Sequence, residues 1–232
     1  MEENMNMTAE RSLEIITEQI AQSRKAVSKR TGQSLYVAGM CTMGMAVVVA
    51  MVNIAAVNNG FSPLGHLLWF VLPVVIWLAM RKINNKERVH APESFVASLV
   101  GKTWWTFGVL VLGFFILANV WNVLIVHLAT DVEPVVAVSQ HVKITPVIIL
   151  LMAMAISITG HILKSNWLVW FGIIGGLVVA VGDYAGIISA ILARTCSIKT
   201  VGVWHFVSPC LSVFLFALIG LMLPGLMLKR QK

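Results

Sequence analysis

Asp183 is the residue in this sequence that most clearly indicates a candidate functional site. It is the only carboxylate inside the apolar stretches of the chain, and Tyr184 follows it directly. An ionisable side chain in hydrocarbon is costly, so it is kept where it has a polar partner or a functional task. Asp183 and Tyr184 therefore form a candidate intramembrane polar site. Three interpretations stay open: an Asp bonded to a neighbouring helix near the membrane boundary, a proton or cation site, and a helix end with residues 184–200 forming a separate helix.

Small residues recur every four positions around this site. They form two rows, Gly172, Gly176 and Ala180 and then Gly182, Gly186 and Ala190. Such spacing lets two helix backbones approach closely within a membrane. The rows predict helix packing at Gly172, Gly176, Gly182 and Gly186, either inside one bundle or between two copies of the chain.

No other group of residues has the spacing of a known catalytic or metal site. The sequence contains no GxxxxGK[ST], no GxSxG and no pair of acidic residues in one apolar stretch, and its histidines lack a spacing such as HExxH. The three cysteines, Cys41, Cys196 and Cys210, form no CxxC, and we expect Cys41 and Cys210 to be small buried residues. The sequence therefore predicts a protein that is not an enzyme and that binds no metal or cofactor.

Composition indicates which elements must position these residues. The chain has 232 residues, of which 58% are hydrophobic and 12% charged, whereas soluble domains have roughly 25% charged residues. Its apolar runs are long enough to cross a hydrocarbon layer of about 30 Å as helices. We predict an all-α, polytopic integral membrane protein with six transmembrane helices and an N-terminal amphipathic helix. The predicted spans are residues 34–57, 61–80, 104–128, 145–163, 167–193 and 203–228.

The polar N-terminal region predicts a helix outside the membrane over residues 8–31. Thr8 is its N-cap, and the apolar residues Leu13, Ile16, Ile20 and Val27 lie along one side. Two interpretations fit this stripe: a helix on the membrane surface, and a docking surface for a cytoplasmic protein. The predicted domains are residues 1–32 (cytoplasmic or interfacial helix), 33–228 (six-helix membrane domain) and 229–232 (cytoplasmic tail).

Basic residues indicate the orientation of the spans in the bilayer. With the N-terminus inside, the cytoplasmic segments carry 14 of the 17 Lys and Arg residues, and the opposite side carries only Lys143, Arg194 and Lys199. Because cytoplasmic loops are enriched in Lys and Arg, we predict that both termini lie in the cytoplasm. Topology also explains the net charge of +7 without nucleic acid. The basic loop 81–102 is a second candidate contact for a cytoplasmic protein, beside residues 8–31.

Three stretches of the sequence resemble a group of uncharacterised bacterial membrane proteins with several spans. They are TAERSLEII (8–16) continuing through QSRK (22–25), TGHILK (159–164) and LPGLMLK (223–229). The resemblance covers nearly the whole chain and implies six spans, a polar N-terminal helix and a location in the bacterial cytoplasmic (inner) membrane. It implies no activity.

These features lead to competing hypotheses for function. The first is an integral membrane protein with a regulatory or sensory role, which uses its N-terminal helix to meet a cytoplasmic partner. The second is a transporter component, because the order of spans and loops resembles that of ABC-2 type permeases, which implies a separate ATPase subunit. The third is an ion- or proton-coupled carrier centred on Asp183. The lipid bilayer is a partner in each case, and a homo-oligomer is compatible with all three.

Overall fold

The protein is a bundle of helices. The computed structural model describes residues 9–61, 64–84, 95–128, 143–195 and 201–230. These residues are helical apart from short connections, and no strand occurs among them. Six helical segments are long and apolar enough to cross a membrane. The prediction of an all-α polytopic membrane protein is therefore confirmed.

The chain runs through the bundle in alternating directions. The helical elements among the described residues, in chain order, are α1 (Ala9–Asn58), a 3₁₀ helix (Leu64–Val71), α2 (Leu72–Asn84), α3 (Phe95–Leu128), α4 (Ile144–Leu163), α5 (Asn166–Tyr184), α6 (Ile187–Thr195), α7 (Val201–Phe216), a π-helix (Ala217–Met222) and α8 (Leu223–Arg230). We call the end of the bundle with the start of α1 and the end of α8 the terminal end. The opposite end, with the end of α5, is the far end. The turn after α1, where Gly60 has φ +73°, also lies at the far end.

The predicted N-terminal helix and the first span form one uninterrupted helix. α1 is 50 residues long, which corresponds to ~75 Å. The predicted boundary after residue 32 falls inside this helix, and Thr8 precedes the described residues. α1 contains no proline that would end it.

α1 and α8 pack backbone against backbone at glycines. A Cβ atom on Gly32 would lie 2.6 Å from the Cβ of Leu228, and a Cβ on Gly225 would lie 2.6 Å from the backbone nitrogen of Tyr36. Gly39 makes a similar contact one step earlier, against Met222 and Leu221 of the preceding π-helix. Glycine destabilises a helix interior by roughly 0.5–1 kcal/mol relative to alanine, and here the close packing offsets that cost.

The predicted sixth span contains two prolines and continues past both. Pro209 lies inside α7, and Pro224 lies near the start of α8. The π-helix precedes Pro224, and at its end the N–H of Leu223 donates to the carbonyl oxygen of Leu218, five residues earlier. Because Pro224 has no N–H, an α-helical register would leave one carbonyl without a donor.

The predicted fifth span, residues 167–193, is wrong in its length. α5 ends at Tyr184, and the next two residues form a turn before α6. The N–H of Gly186 donates to the carbonyl oxygen of Asp183 (3.1 Å), and Gly186 has φ +70°. A left-handed residue of this kind favours glycine and commonly ends a helix. Residues 187–195 are therefore a separate helix.

The core lies between α1, α4, α5, α7 and the π-helix. Its most deeply buried side chains include Ile149, Ile156, Leu168 and Phe216. By contrast, α2 and much of α3 expose large apolar side chains, such as Leu117 at 70%. Lipid tails are as apolar as these side chains, so in a membrane this exposed surface faces lipid.

Candidate functional site

Asp183 lies in the last turn of α5 and meets a buried hydroxyl group of α7. Ser212 Oγ donates to Asp183 Oδ1 over 2.5 Å. Ser212 is completely buried, whereas Asp183 is half-buried. The contact joins two helices at residues that are 29 positions apart in the chain. The carboxyl group thus has the polar partner that hydrocarbon surroundings demand.

Ser212 has a second acceptor within reach. Its Oγ lies 3.0 Å from the carbonyl oxygen of Ser208, one turn earlier in α7. A serine hydroxyl carries a single hydrogen, so at any moment it donates either to Asp183 or to Ser208. The site therefore offers two alternative hydrogen-bond arrangements.

Lys143 ties the start of α4 to the end of α5. Its Nζ donates to the carbonyl oxygen of Tyr184 over 2.7 Å and lies 4.8 Å from the centre of the Tyr184 ring. The last carbonyl groups of a helix carry a partial negative charge, so an ammonium group stabilises them. Lys143 also attracts the Asp183 carboxyl group electrostatically. The structure thus adds a cation to the predicted pair of Asp183 and Tyr184.

Sequence reasoning missed Lys143, Ser208 and Ser212 as members of this site. Serines are common packing residues in membrane helices, so the two serines gave no signal of their own. The sequence did contain a signal for Lys143, namely the short turn between α4 and α5. In the structure, Lys164 of this turn has φ 54°. That turn makes α4 and α5 antiparallel neighbours, which places the residue before α4 beside the end of α5.

Two of the four predicted packing glycines lie against α4. Gly172 faces Ser157 and Gly176 faces Ala153, and a Cβ atom on either glycine would overlap with those residues. Both glycines are buried. This row therefore lets α4 and α5 of the same chain approach closely, as the interpretation of packing inside one bundle requires.

The second predicted row does not form, because the helix ends inside it. A Cβ atom on Gly182 would have only ordinary van der Waals contact, at 3.8 Å from Ile188. Gly186 occupies the left-handed position of the turn. The two glycines therefore do not share one helix face, and Gly186 serves a change of chain direction.

A second polar pair joins α1 to the 3₁₀ helix near the far end. Asn53 is fully buried, and its Nδ2 lies 3.3 Å from His66 Nε2. Among the described residues, its Oδ1 has no hydrogen-bond partner. Gly65 allows this approach, since a Cβ atom there would overlap with the Asn53 amide. The pair therefore links the first two spans inside the bundle.

α1 carries apolar side chains that no other described part of the chain covers. Leu13, Ile16 and Ile20 are 63%, 51% and 47% exposed, and we call these three residues the α1 stripe. Further along the helix, Val27 is partly buried against the core. The stripe therefore begins where contact between α1 and the bundle ends.

The other side of this segment is polar. Gln22 Nε2 donates to Glu18 Oε1 over 3.2 Å, and helical spacing places both residues about half a turn away from the stripe. On the side of the stripe, one turn after Ile20, Ser23 Oγ and Arg24 Nε are buried and have no hydrogen-bond partner among the described residues. The segment thus has one apolar and one charged face.

The other candidate contact, loop 81–102, lies partly outside the described residues, which omit 85–94. Its first residue, Arg81, lies over the ring of Trp77 at 5.4 Å. Near its end, Val96 and Val100 are buried against the core. The described parts of this loop therefore extend α2 and α3 and do not form a separate surface.

Within the described part of the chain, no three His, Cys, Asp or Glu side chains are grouped to hold a metal ion. Cys210 is buried as expected, Cys41 is only partly buried, and Cys196 lies outside the described residues.

No protein-family model, curated protein or solved structure matches this chain. The resemblance to a bacterial six-span group therefore stays a prediction. Two features of the structure bear on function: the α1 stripe and the polar site around Asp183.

Proposed function

We propose that this protein is a non-enzymatic membrane protein of the bacterial inner membrane with a regulatory or sensory role, and that its α1 stripe binds a cytoplasmic protein. The exposure of Leu13, Ile16 and Ile20 carries the proposal, because α1 is otherwise held in the bundle. The excess of Lys and Arg in the predicted inner segments supports a cytoplasmic terminal end.

Pairs of cationic and aromatic side chains support a position for the membrane surface at the terminal end. Lys229 Nζ lies 5.8 Å from the centre of the Tyr36 ring, and Arg81 lies over Trp77. Aromatic residues gather at the membrane interface, and basic residues follow on the cytoplasmic side. With Tyr36 at this level, residues 9–32 of α1 project ~35 Å beyond the membrane.

The continuity of α1 favours a protein partner over lipid. A helix that continues without interruption from the stripe into a span cannot also lie flat on the membrane surface. The stripe then projects into water, where burying each large aliphatic side chain is favourable by about 1.5–3 kcal/mol. Its spacing of three and then four residues is that of a helix laid against another helix or a groove.

A site-specific photo-crosslinker in intact cells tests this proposal. The photoreactive residue replaces Ile16 on the stripe or, as a matched control, Gln22 on the opposite face. We expect a cross-linked soluble protein at position 16 only, and loss of that product when Ile20→Glu is added. Equal products at both positions would overturn the proposal. So would cross-links at position 16 to lipid alone, or only to a second copy of the chain.

A transporter component is the second candidate, since the layout resembles that of ABC-2 type permeases. The interruption of α5 beside Asp183 favours it, because transporters often place interrupted helices around a binding site. Such a component needs a separate ATPase, as the sequence has no nucleotide-binding motif.

Purification of the protein in mild detergent, with and without residues 1–31, distinguishes the two candidate functions. An ATPase recovered with both forms supports the transporter, whereas a soluble protein lost on truncation supports the regulatory role.

A further inference from the structure

We propose that Asp183, the Ser212 hydroxyl and the Ser208 carbonyl form a reversible proton-binding site at the far end of the bundle. This proposal does not rest on a partner for the α1 stripe. It rests on one geometric fact: the buried hydroxyl of Ser212 reaches two acceptors, Asp183 Oδ1 at 2.5 Å and the Ser208 carbonyl oxygen at 3.0 Å.

In the ionised state, Ser212 donates its hydrogen to the Asp183 carboxylate. This is a charge-assisted hydrogen bond, which is shorter and stronger than a neutral one. The observed distance of 2.5 Å suits such a bond. The Ser208 carbonyl then retains only its place in the α7 helix.

In the neutral state, the same three groups exchange roles. A hydronium ion from the adjoining water gives a proton to Asp183, which becomes a neutral carboxylic acid, and a water molecule is left behind. The new O–H of Asp183 donates to Ser212 Oγ, and the Ser212 hydrogen turns to the Ser208 carbonyl. The Asp183 carboxyl group, the Ser212 hydroxyl and the Ser208 carbonyl therefore each keep a partner in both states, which matters because an unsatisfied polar group in hydrocarbon is costly.

Among the described elements around the Asp183 carboxyl group, the start of α4 supplies a charge of the opposite sign. From the start of α4, Lys143 attracts the ionised form, while the negative end of the α5 dipole disfavours it. From α7, Ser208 and Ser212 do not titrate. Tyr184 ends α5 and pairs with Lys143, and aromatic and basic residues gather at the membrane interface, so we place the site beside the aqueous boundary. On α6, the charged Arg194 lies in the last turn, about two turns beyond the chain reversal.

A proton suits this site better than a metal ion does. A calcium ion takes six to eight oxygen ligands, whereas the described site contributes one carboxylate and one hydroxyl from side chains. The carbonyl oxygen of Tyr184 at the end of α5, a natural place for a cation, already accepts a hydrogen bond from Lys143 Nζ.

Carbon-13 NMR of the full-length protein in lipid nanodiscs tests the proposal directly. The chain contains two aspartates, Asp131 and Asp183, so labelling at the aspartate carboxyl carbon gives two signals, and Asp131→Asn leaves the signal of Asp183. We expect this signal to titrate reversibly with the pH. In Ser212→Ala the ionised form loses its donor, so we expect the midpoint to move to higher pH by about 0.5 unit or more.

Ser208→Ala is the matched control, because alanine keeps the backbone carbonyl. We expect its midpoint to stay within about 0.2 pH unit of the unmodified protein, since the acceptor is unchanged. An Asp183 signal that never changes between pH 4 and 9, in a protein that stays folded, would overturn the proposal. This outcome needs no variant at Ser212, so it is decisive even if Ser212→Ala does not fold. An equal displacement in both serine variants would also overturn it, because the effect would then come from general packing of α7.

Discussion

The two ends of the bundle differ in which side chains lie in unfavourable surroundings: apolar side chains are exposed at the terminal end, and polar side chains lie between apolar helices at the far end. At the terminal end, the α1 stripe leaves Leu13, Ile16 and Ile20 exposed on a helix that projects from the bundle. At the far end, Asp183 and Ser212 bring polar groups into an apolar helix pair. The polar groups are satisfied inside the chain, whereas no described residue covers the stripe.

This difference follows from what each solvent can offer. Lipid provides no hydrogen bonds, so a polar group between membrane helices has to find its partner within the protein. In water, an exposed aliphatic side chain raises the free energy only in proportion to its exposed apolar area, and that area remains available for binding another molecule. The site around Asp183 and Ser212 is therefore satisfied within the chain, whereas the α1 stripe at the terminal end remains available to a partner.

Loss of the anchor of α1 should have the largest effect on stability. In Gly225→Ala the new Cβ would lie 2.6 Å from the backbone nitrogen of Tyr36, so we expect a loss of about 2–3 kcal/mol from overpacking. Gly44→Ala, also a glycine-to-alanine change but with no atom within 4 Å of the new Cβ, should be neutral or stabilising. Unfolding in detergent measures the free energy of unfolding of both variants. Equal stability of the two variants would mean that α8 does not anchor the projecting helix.

Removal of the carboxyl group should have the next largest effect. In Asp183→Leu, Ser212 loses one acceptor but keeps the Ser208 carbonyl, so we expect a loss of only about 1–2 kcal/mol. Asp183→Asn keeps an acceptor oxygen and should therefore retain most of the stability that the leucine variant loses. Thermal unfolding of the purified variants checks this order. If the leucine variant were the most stable of the three proteins, the far end would not be a satisfied polar site.

Loss of the cation at the end of α5 should have a smaller effect. Lys143→Met removes the ammonium group that binds the Tyr184 carbonyl, and we expect a loss of about 0.5–1 kcal/mol. Lys25→Met, at an exposed position of α1, serves as the control and should not change the unfolding midpoint. High salt should reduce the difference between the two variants, because it screens a partly exposed charge. A difference that salt leaves unchanged would indicate lost packing and not lost charge.

A charge on the stripe should have the smallest effect on stability. Because Ile16 is 51% exposed, we expect Ile16→Glu to change the free energy of unfolding by less than about 0.5 kcal/mol. A charge at the neighbouring stripe position, Ile20→Glu, should abolish the cross-linked product that forms from position 16, whereas Glu18→Gln on the other face should leave it intact. A large loss of stability in Ile16→Glu would show that the stripe is covered within the protein itself.

The sequence was most informative about the elements and least informative about their partners. Long apolar runs predicted six spans because hydrocarbon thickness and helical rise set their length. The cost of a carboxyl group in lipid singled out Asp183. The end of α5 was missed because Ala185 and Gly186 are as compatible with an apolar helix as with a turn. Only the backbone conformation of Gly186 distinguishes the two.

Composition, hydropathy and charge by themselves determined that this is an all-α membrane protein with an amphipathic start, since each depends on local sequence and on the solvent. Tertiary structure alone decided that Ser212 meets Asp183, that Lys143 binds the end of α5, and that Gly225 lies against α1. It also decided that the stripe continues the same helix as the first span. These features depend on which faces of distant helices pack together, and local periodicity does not contain that information.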